Sequence, residues 1–384
     1  MYLMKNNPGG ILLNCLLFLL SHLIRKQKGT FLIGARSGET FSENSKYLYL
    51  YANKIKKNKN FVWFTRNRSL FNKLKEEKLP VVFASSFQGF YKILISEKLV
   101  VAACPREVSY FRYLFGNFKI IQLSHGNAIK SVDCLTPKSK TFADGIRKSL
   151  LKKQYSKYDF ILHTSKKTKK IFTKSFANAK VKVLGYPRND FRKKSFYKYE
   201  NLNFIPLNKK IFLYAPTYRA KDYGKTPFHK KELYELDKFL KEKRYYLILK
   251  NHSYEKVFPN STKFKNILDI SEKKTDIAEL LPKIDVLITD YSSVCFDFSL
   301  LKKPIIFYPY DYKKYELHEK IVIDYFNDLP GPFAYNEKEL FALISNLSWS
   351  KKRTYLDKYE KFMKDFNDFT DGKSCERTYN EIIK

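Results

Sequence analysis

Acidic residues are few in this chain of 384 residues: 38 Asp+Glu stand against 73 Lys+Arg, leaving a formal net charge of +35. That imbalance favours an anionic partner, whether nucleic acid, anionic lipid, a nucleotide or a polyphosphate chain. Cysteine is scarce too. The 5 Cys form an odd, scattered set without a CxxC pair, which removes a disulfide framework and a cysteine metal site and points to a reducing compartment. Standard signatures are missing: there is no GxxxxGK followed by Ser or Thr, no HExxH, no GxSxG, no kinase set, and no GxGxxG after the first strand-like run. Metal-ligand spacing of His and Cys is absent as well, so no cofactor is assigned and a divalent cation has no direct support.

The apolar stretch from Ile11 to Ile24, ILLNCLLFLLSHLI, falls short of the roughly twenty residues that cross a bilayer. No small-residue cleavage site follows it, and Arg25, Lys26 and Lys28 come directly after, so a signal peptide fits poorly. Two readings stay open: an interfacial helix in the headgroups of an anionic leaflet, or a helix packed on the first domain. The positive charge of the chain favours membrane contact.

With 44% apolar residues over this length, the chain can bury a large core, and two domains are expected. The 29 Tyr and 33 Phe lie mostly in core-like runs such as FVWF (61–64) and IIFYPY (305–310), which fits a biased genome better than base stacking on single-stranded nucleic acid. Strand-like runs recur at 30–34, 61–65, 81–85, 99–103 and 119–124, followed by YDFILHTS and KVLG, with room for a helix in each gap. After a polar stretch at 201–210, a second series follows at 211–217, 245–251, 266–271, 285–290 and 304–309. Alternation of this kind predicts α/β architecture with parallel sheets: two Rossmann-like domains facing a cleft. The expected divisions are a membrane-proximal segment (1–28), an N-terminal domain (29–205), a C-terminal domain (206–348) and charged C-terminal helices (349–384) that cross back over the first domain.

Ligands of open α/β sheets sit beyond the carboxyl ends of strands, so chemistry is sought there. His125 follows the fifth run, with Gly126 permitting close approach of a ligand and Lys130 near enough to meet a phosphate. A histidine merely bonded to a neighbouring carbonyl and a solvated lysine are the competing readings. Lys250 and His252 follow YYLIL in the second half, and the pairing of two strand-end histidines strengthens a functional role for both. His163 reads as structural, while His22, His229 and His318 have no chemical context. In DYSSVCFDF, Asp290 ends a strand and Ser292 and Ser293 start a helix, giving free amides and hydroxyls for an anion, or else an ordinary N-cap. Asp297 faces the same two readings, ligand site or helix-dipole partner. Arg219, in YAPTYR, is either a phosphate contact or a surface residue.

Seven blocks in order resemble the CDP-glycerol glycerophosphotransferase family of teichoic-acid and capsule polyol-phosphate transferases: SENSKYLYLYA (42–52), SHGNAIK (124–130), GYPRND (185–190), YAPTYR (214–219), LKNH (249–252), LITDYSSVCFDFSLLKKPIIFYPYD (287–311) and PGPF (330–333). The resemblance runs from about residue 30 to about 345 and implies a GT-B-like fold, with the first domain for the acceptor and the second for a CDP-polyol donor. It implies a lipid-linked glycan or polyol-phosphate acceptor, an anionic membrane surface as a further partner, and peripheral work at the cytoplasmic face of the plasma membrane. The family's two histidines match His125 and His252, and its donor-phosphate contacts fall near Asp290, Ser292 and Ser293, with Arg219 a looser match; Lys250, at its strand end, is assigned to the donor phosphate beside them. Two departures stand out. The usual HGTPLK is HGNAIK here, with Asn127 and Ala128 substituted, and no RGFY element precedes the PGP turn, where Lys320 is the nearest cation. The chain's length fits a primase or short-chain transferase.

The implied reaction is attack of an acceptor hydroxyl, deprotonated by His125, on the β-phosphorus of a CDP-polyol, with release of CMP. Rivals are a GT-B glycosyltransferase using a nucleotide sugar, a basic nucleic-acid-binding protein, and a membrane scaffold without turnover. No nucleic acid is expected, since no recognised binding module is present.

Overall fold

The computed structural model describes residues 8–55, 59–127, 129–135, 142–190, 202–219, 230–251, 264–273 and 275–384. Its contacts divide into two compact units. Unit 1 comprises Met1–His125, Asp133–Tyr197 and Asp368–Lys384; unit 2 comprises Gly126–Val132 and Lys198–Asn367.

In unit 1, the strands β1 (Gln27–Gly34), β2 (Asn60–Thr65), β3 (Val81–Phe83), β4 (Ser96–Val101), β5 (Ile120–Gln122), β6 (Tyr158–His163) and β7 (Val181–Val183) alternate with helices α1 (Pro8–Leu23), α2 (Glu43–Ile55), α3 (Arg68–Glu76), α4 (Phe87–Ile95), α5 (Phe142–Tyr155) and α6 (Lys166–Ser175). Unit 2 holds β8 (Lys210–Tyr214), β9 (Tyr245–Leu249), β10 (Ile267–Asp269), β11 (Val286–Thr289) and β12 (Ile305–Phe307). Its helices are α7 (Lys230–Lys243), α8 (Ile277–Leu280), α9 (Val294–Ser299), α10 (Tyr312–His318), α11 (Tyr325–Asp328), α12 (Glu337–Ser345) and α13 (Arg353–Phe366), while α14 (Ser374–Ile382) falls in unit 1. Every strand expected from the apolar runs is present.

Both sheets are parallel throughout their described pairs, in the orders β3-β2-β1-β4-β5-β6-β7 and β10-β9-β8-β11-β12. Their inner strands are apolar on both faces, as a sheet covered by helices requires: Phe31 to Gly34 and Val286 to Thr289 are buried without interruption. The core of unit 1 gathers Phe31, Tyr49, Phe61, Trp63, Tyr379 and Ile382; that of unit 2 gathers Leu213, Ile248, Leu287, Phe296, Phe362 and Phe366. Helix starts follow local chemistry. The side chains of Asn67 and Ser86 accept from Leu70 N and Gly89 N at 3.1 and 3.0 Å, capping α3 and α4.

Strand order reverses between β1 and β4 in the first sheet and between β8 and β11 in the second, and such switch points open a crevice at the strands' carboxyl ends. The C-terminal helices divide: α13 belongs to unit 2, and only α14 returns to unit 1, where Asp190 accepts from Ser374 N and Cys375 N at 3.0 and 2.7 Å. The segment 126–132, inside the span expected for the N-terminal domain, packs in unit 2 instead. Ile129 enters that core, Ser131 N donates to Lys320 O at 2.7 Å, and Asn127 Nδ2 donates to Phe366 O at 3.1 Å.

Among the described residues, no helix is long and apolar enough to cross a membrane. Helix α1 is packed along one side and open along another: Leu17 and Ser21 are fully buried, while Leu12, Leu16, Leu19 and Leu23 form an exposed stripe at helical spacing.

Candidate active site

In unit 1, the backbone leaving β5 turns sharply. Ser124 adopts φ 57°, a left-handed conformation that non-glycine residues take only under constraint, and His125 follows with its side chain exposed to solvent. The constraint comes from α2 and from the 3-10 turn Pro187–Asp190. Asn44 Nδ2 donates to Leu123 O and Ser124 O at 2.9 and 2.7 Å, Arg188 Nη1 donates to His125 O at 2.9 Å, and Ser124 Oγ donates to Leu162 O at 2.8 Å.

Around this turn lies a buried charge network. Glu43 pairs with Arg188 at 2.9 Å and with Arg36 through Arg36 Nε at 2.7 Å. Burial works to raise the Glu43 carboxyl's pKa, but Arg36 and Arg188 hold it below the ordinary glutamate value. Arg36 follows β1 and Glu107 follows β4, so the network occupies the switch point of the first sheet. Glu107 accepts from Arg36 N, Ala102 N and Ala103 N at 3.1, 2.6 and 3.0 Å, and burial pushes its carboxyl up to about 7. For His125, crowding by the surrounding protein lowers the imidazole's pKa; Glu43 and Asp133 oppose that shift, and Arg36 and Arg188 add to it. The net shift favours the neutral ring, the state a general base needs.

In unit 2, the switch point between β8 and β11 carries a second buried knot. Arg219 donates through Nη2 to Asp290 at 2.7 Å, through Nε to Asp311 at 2.7 Å, and through Nη1 to Thr217 O at 2.6 Å. Asp290 also accepts from Thr217 N at 2.8 Å and from Tyr291 N at 2.5 Å. The guanidinium stacks among Tyr315, Tyr291 and Tyr310, with ring centroids at 4.9, 5.1 and 5.7 Å. Burial works against its charge, and the two aspartates more than offset this, raising its pKa well above the ordinary arginine value. Neither reading of Arg219 as a surface residue or as an open phosphate clamp describes this geometry: the side chain is buried and ties the strand-end loops together.

Ser292 and Ser293 emerge half-buried from that knot ahead of α9. Ser293 occupies the N-cap position without a side-chain capping bond, so the ordinary cap is not what its hydroxyl provides. Asp297 is buried within α9. Lys250 follows β9, partly exposed, its Nζ donating to Lys273 O at 3.4 Å. Lys130 pairs with Glu319 at 3.3 Å, and Gly126 is half-buried beside Asn127. His252 lies outside the described residues, as do Ala128 and His229. His163 is structural: fully buried, it stacks on Phe172 at 4.0 Å and shares a 2.8 Å hydrogen bond with Thr168 Oγ1, and burial pushes its pKa down to about 3. Among the described residues, no group of three or more His, Cys, Asp or Glu side chains is placed to hold a metal ion.

Sequence reasoning missed Arg36, Glu43, Asn44, Glu107, Arg188 and Asp311 as site residues. Glu43, Asn44, Arg188 and Asp311 stood inside the quoted blocks, and that was their only signal.

Residues 16–384 match the CDP-Glycerol:Poly(glycerophosphate) glycerophosphotransferase family. The chain belongs to that family. A teichoic acid glycerol-phosphate transferase of Staphylococcus aureus is 28% identical over 368 residues, covering 90% of this chain and 91% of the relative. A teichoic acid glycerol-phosphate primase of Bacillus subtilis is 34% identical over 279 residues, 69% of this chain and 68% of the primase. The chain spans about half of a teichoic acid poly(glycerol phosphate) polymerase of Staphylococcus epidermidis, 48% of its length. Among solved structures, the wall teichoic acid polymerase TagF matches with a TM-score of 0.78 at 24% identity, over 98% of this chain and 94% of that one. The fold is GT-B-like, as the motif resemblance implied. This glycerophosphotransferase is a CDP-polyol-dependent transferase of teichoic-acid-type polymer synthesis, and the nucleic-acid-binding and scaffold readings give way to that assignment.

Proposed function

We propose that the enzyme transfers glycerol phosphate from CDP-glycerol to a hydroxyl of a lipid-linked glycan or polyol-phosphate acceptor. The observation that carries this reading is an exposed histidine held on a constrained turn at the carboxyl end of β5. His125 takes the proton of the acceptor hydroxyl. The acceptor oxygen attacks the β-phosphorus in line, the bond to the bridging oxygen breaks, CMP leaves, and a phosphodiester forms. Such chemistry rests on positioning and charge neutralisation. His252, Lys250 and the hydroxyls and amides at Ser292 and Ser293 supply that charge, with Arg219 holding the loops from which the serines project. A donor screen with CDP-glycerol, CDP-ribitol and nucleotide sugars against bacterial membranes tests it. Release of CMP with CDP-glycerol, and a product heavier by one glycerol phosphate, is the expected result; release of a nucleoside diphosphate would establish glycosyl transfer instead.

The same reading places the enzyme peripherally on the cytoplasmic face of the plasma membrane. Its support is the apolar stripe of α1 together with Phe87 and Tyr91, exposed and stacked on the neighbouring helix α4, beside the exposed cations Arg25 and Lys28. Burying one leucine is worth about 1.5–3 kcal/mol. Leu16→Asp or Leu19→Asp should therefore weaken co-sedimentation with phosphatidylglycerol vesicles by about tenfold or more. Unchanged binding would remove α1 from the contact.

A further inference from the structure

The reading of His125 as general base leaves open what aims its ring. We propose that Glu43, Asn44 and Arg188 are positioning residues for His125, acting together as a latch on the backbone from which the imidazole projects. The proposal rests on that base assignment and adds a device within unit 1.

Three successive carbonyls, those of Leu123, Ser124 and His125, each accept from a side chain of this group: two from Asn44 and one from Arg188. With all three fixed, no peptide plane between β5 and His125 can rotate without breaking a bond to a buried partner. The restraint is needed, because Ser124 stands in the left-handed region and would relax if released.

The latch is itself cross-braced. Asn44 Oδ1 accepts from Arg188 N at 3.2 Å, and Glu43 Oε2 accepts from Arg188 Nη1 at 2.9 Å, so adjacent residues of α2 grip Arg188 at its backbone and at its guanidinium. Glu43 adopts φ 64° at the start of α2, a second constrained residue beside the first. Asn44 is fully buried, and Glu43 and Arg188 are nearly so, which makes each lost partner costly. No surface role explains a buried Asn, Glu and Arg converging on one exposed histidine.

Glu43 has a second effect through charge. The groups that act on the imidazole are Glu43 from α2, Arg36 after β1, Arg188 after β7 and Asp133 before α5. Removing the Glu43 carboxylate leaves Arg36 and Arg188 facing the ring with Asp133 alone opposing them, so the imidazolium is disfavoured further. A base is active when neutral. The acid limb of the rate profile then moves to lower pH in Glu43→Gln, whereas Asn44→Ala, which keeps every charge, leaves the limb in place.

The test compares full-length wild type, Glu43→Gln, Asn44→Ala and His125→Ala, each confirmed folded by circular dichroism, in CMP release from CDP-glycerol. Expected for Glu43→Gln and Asn44→Ala is a fall in kcat of about 10²-fold with the donor KM within about twofold, since a displaced base costs rate and not donor binding. The acid limb shifts in Glu43→Gln only. Wild-type kcat and an unshifted limb in both variants, with His125→Ala inactive, would overturn the latch while sparing the base assignment. Should His125→Ala keep turnover, the base assignment fails and the latch with it. Should Glu43→Gln fail to fold, Asn44→Ala decides by its kcat alone.

Discussion

His125→Ala should lower CMP release by about 10²–10⁴-fold, the usual contribution of a positioned general base, and should leave CDP-glycerol binding close to wild type. The structure makes this variant easy to interpret. The imidazole is exposed, and Arg188 bonds the main-chain carbonyl, which alanine retains. Exposed substitutions of this kind change stability by only about 0.5 kcal/mol, so lost turnover reports lost proton transfer and not lost fold. Single-turnover CMP release and calorimetric CDP-glycerol titration separate the two quantities. Retained turnover with intact binding would strike His125 from the mechanism.

The second large effect lies in the knot of unit 2. Arg219→Met leaves Asp290, with a wholly buried side chain, and Asp311, nearly so, facing each other without their shared cation. Removing one partner of a buried ion pair costs about 3–5 kcal/mol, because the remaining charge loses its compensation. Arg219→Met should therefore lower the urea midpoint markedly. Adding Asp290→Asn and Asp311→Asn should recover a large part of the loss, since neutral amides tolerate burial better than unpaired carboxylates. A midpoint for Arg219→Met equal to wild type would show that the guanidinium is dispensable to the loops it joins. Arg219→Lys is not a mild replacement either, as one ammonium cannot reproduce bonds to two carboxylates and the Thr217 carbonyl.

The strands were legible because their signal is local. Runs such as FVWFT and DVLITD are buried on both faces, and a continuous apolar run between turn residues announces that directly. The positions of His125 and the DYSS block at strand ends were legible for a related reason: once strands are located, the residues after them are known. What stayed hidden depends on strand order. Arg36 and Glu107 share a site because β1 and β4 are neighbours, and Thr217 and Asp290 because β8 and β11 are. Glu43 and Arg188 are 145 positions apart, a separation that no periodicity records. Arg219 shows the same limit differently: its sequence neighbours suggested an available cation, and the carboxylate that claims it, Asp311, lies 92 positions downstream. The short segment 126–132 also crosses units against its place in the chain, and contacts such as the pairing of Lys130 with Ile321 disclose it.

Helix α14 has a consequence for synthesis on the ribosome. Tyr379 and Ile382 complete the core that Phe31 and Phe61 begin, and Asp190 caps backbone amides of Ser374 and Cys375. The half of the protein translated first must wait for residues made after the other half has emerged whole. Vectorial folding, amino-terminal part first, is the general habit of multidomain chains. Here the nascent chain runs the other way, and the body carrying His125 closes last.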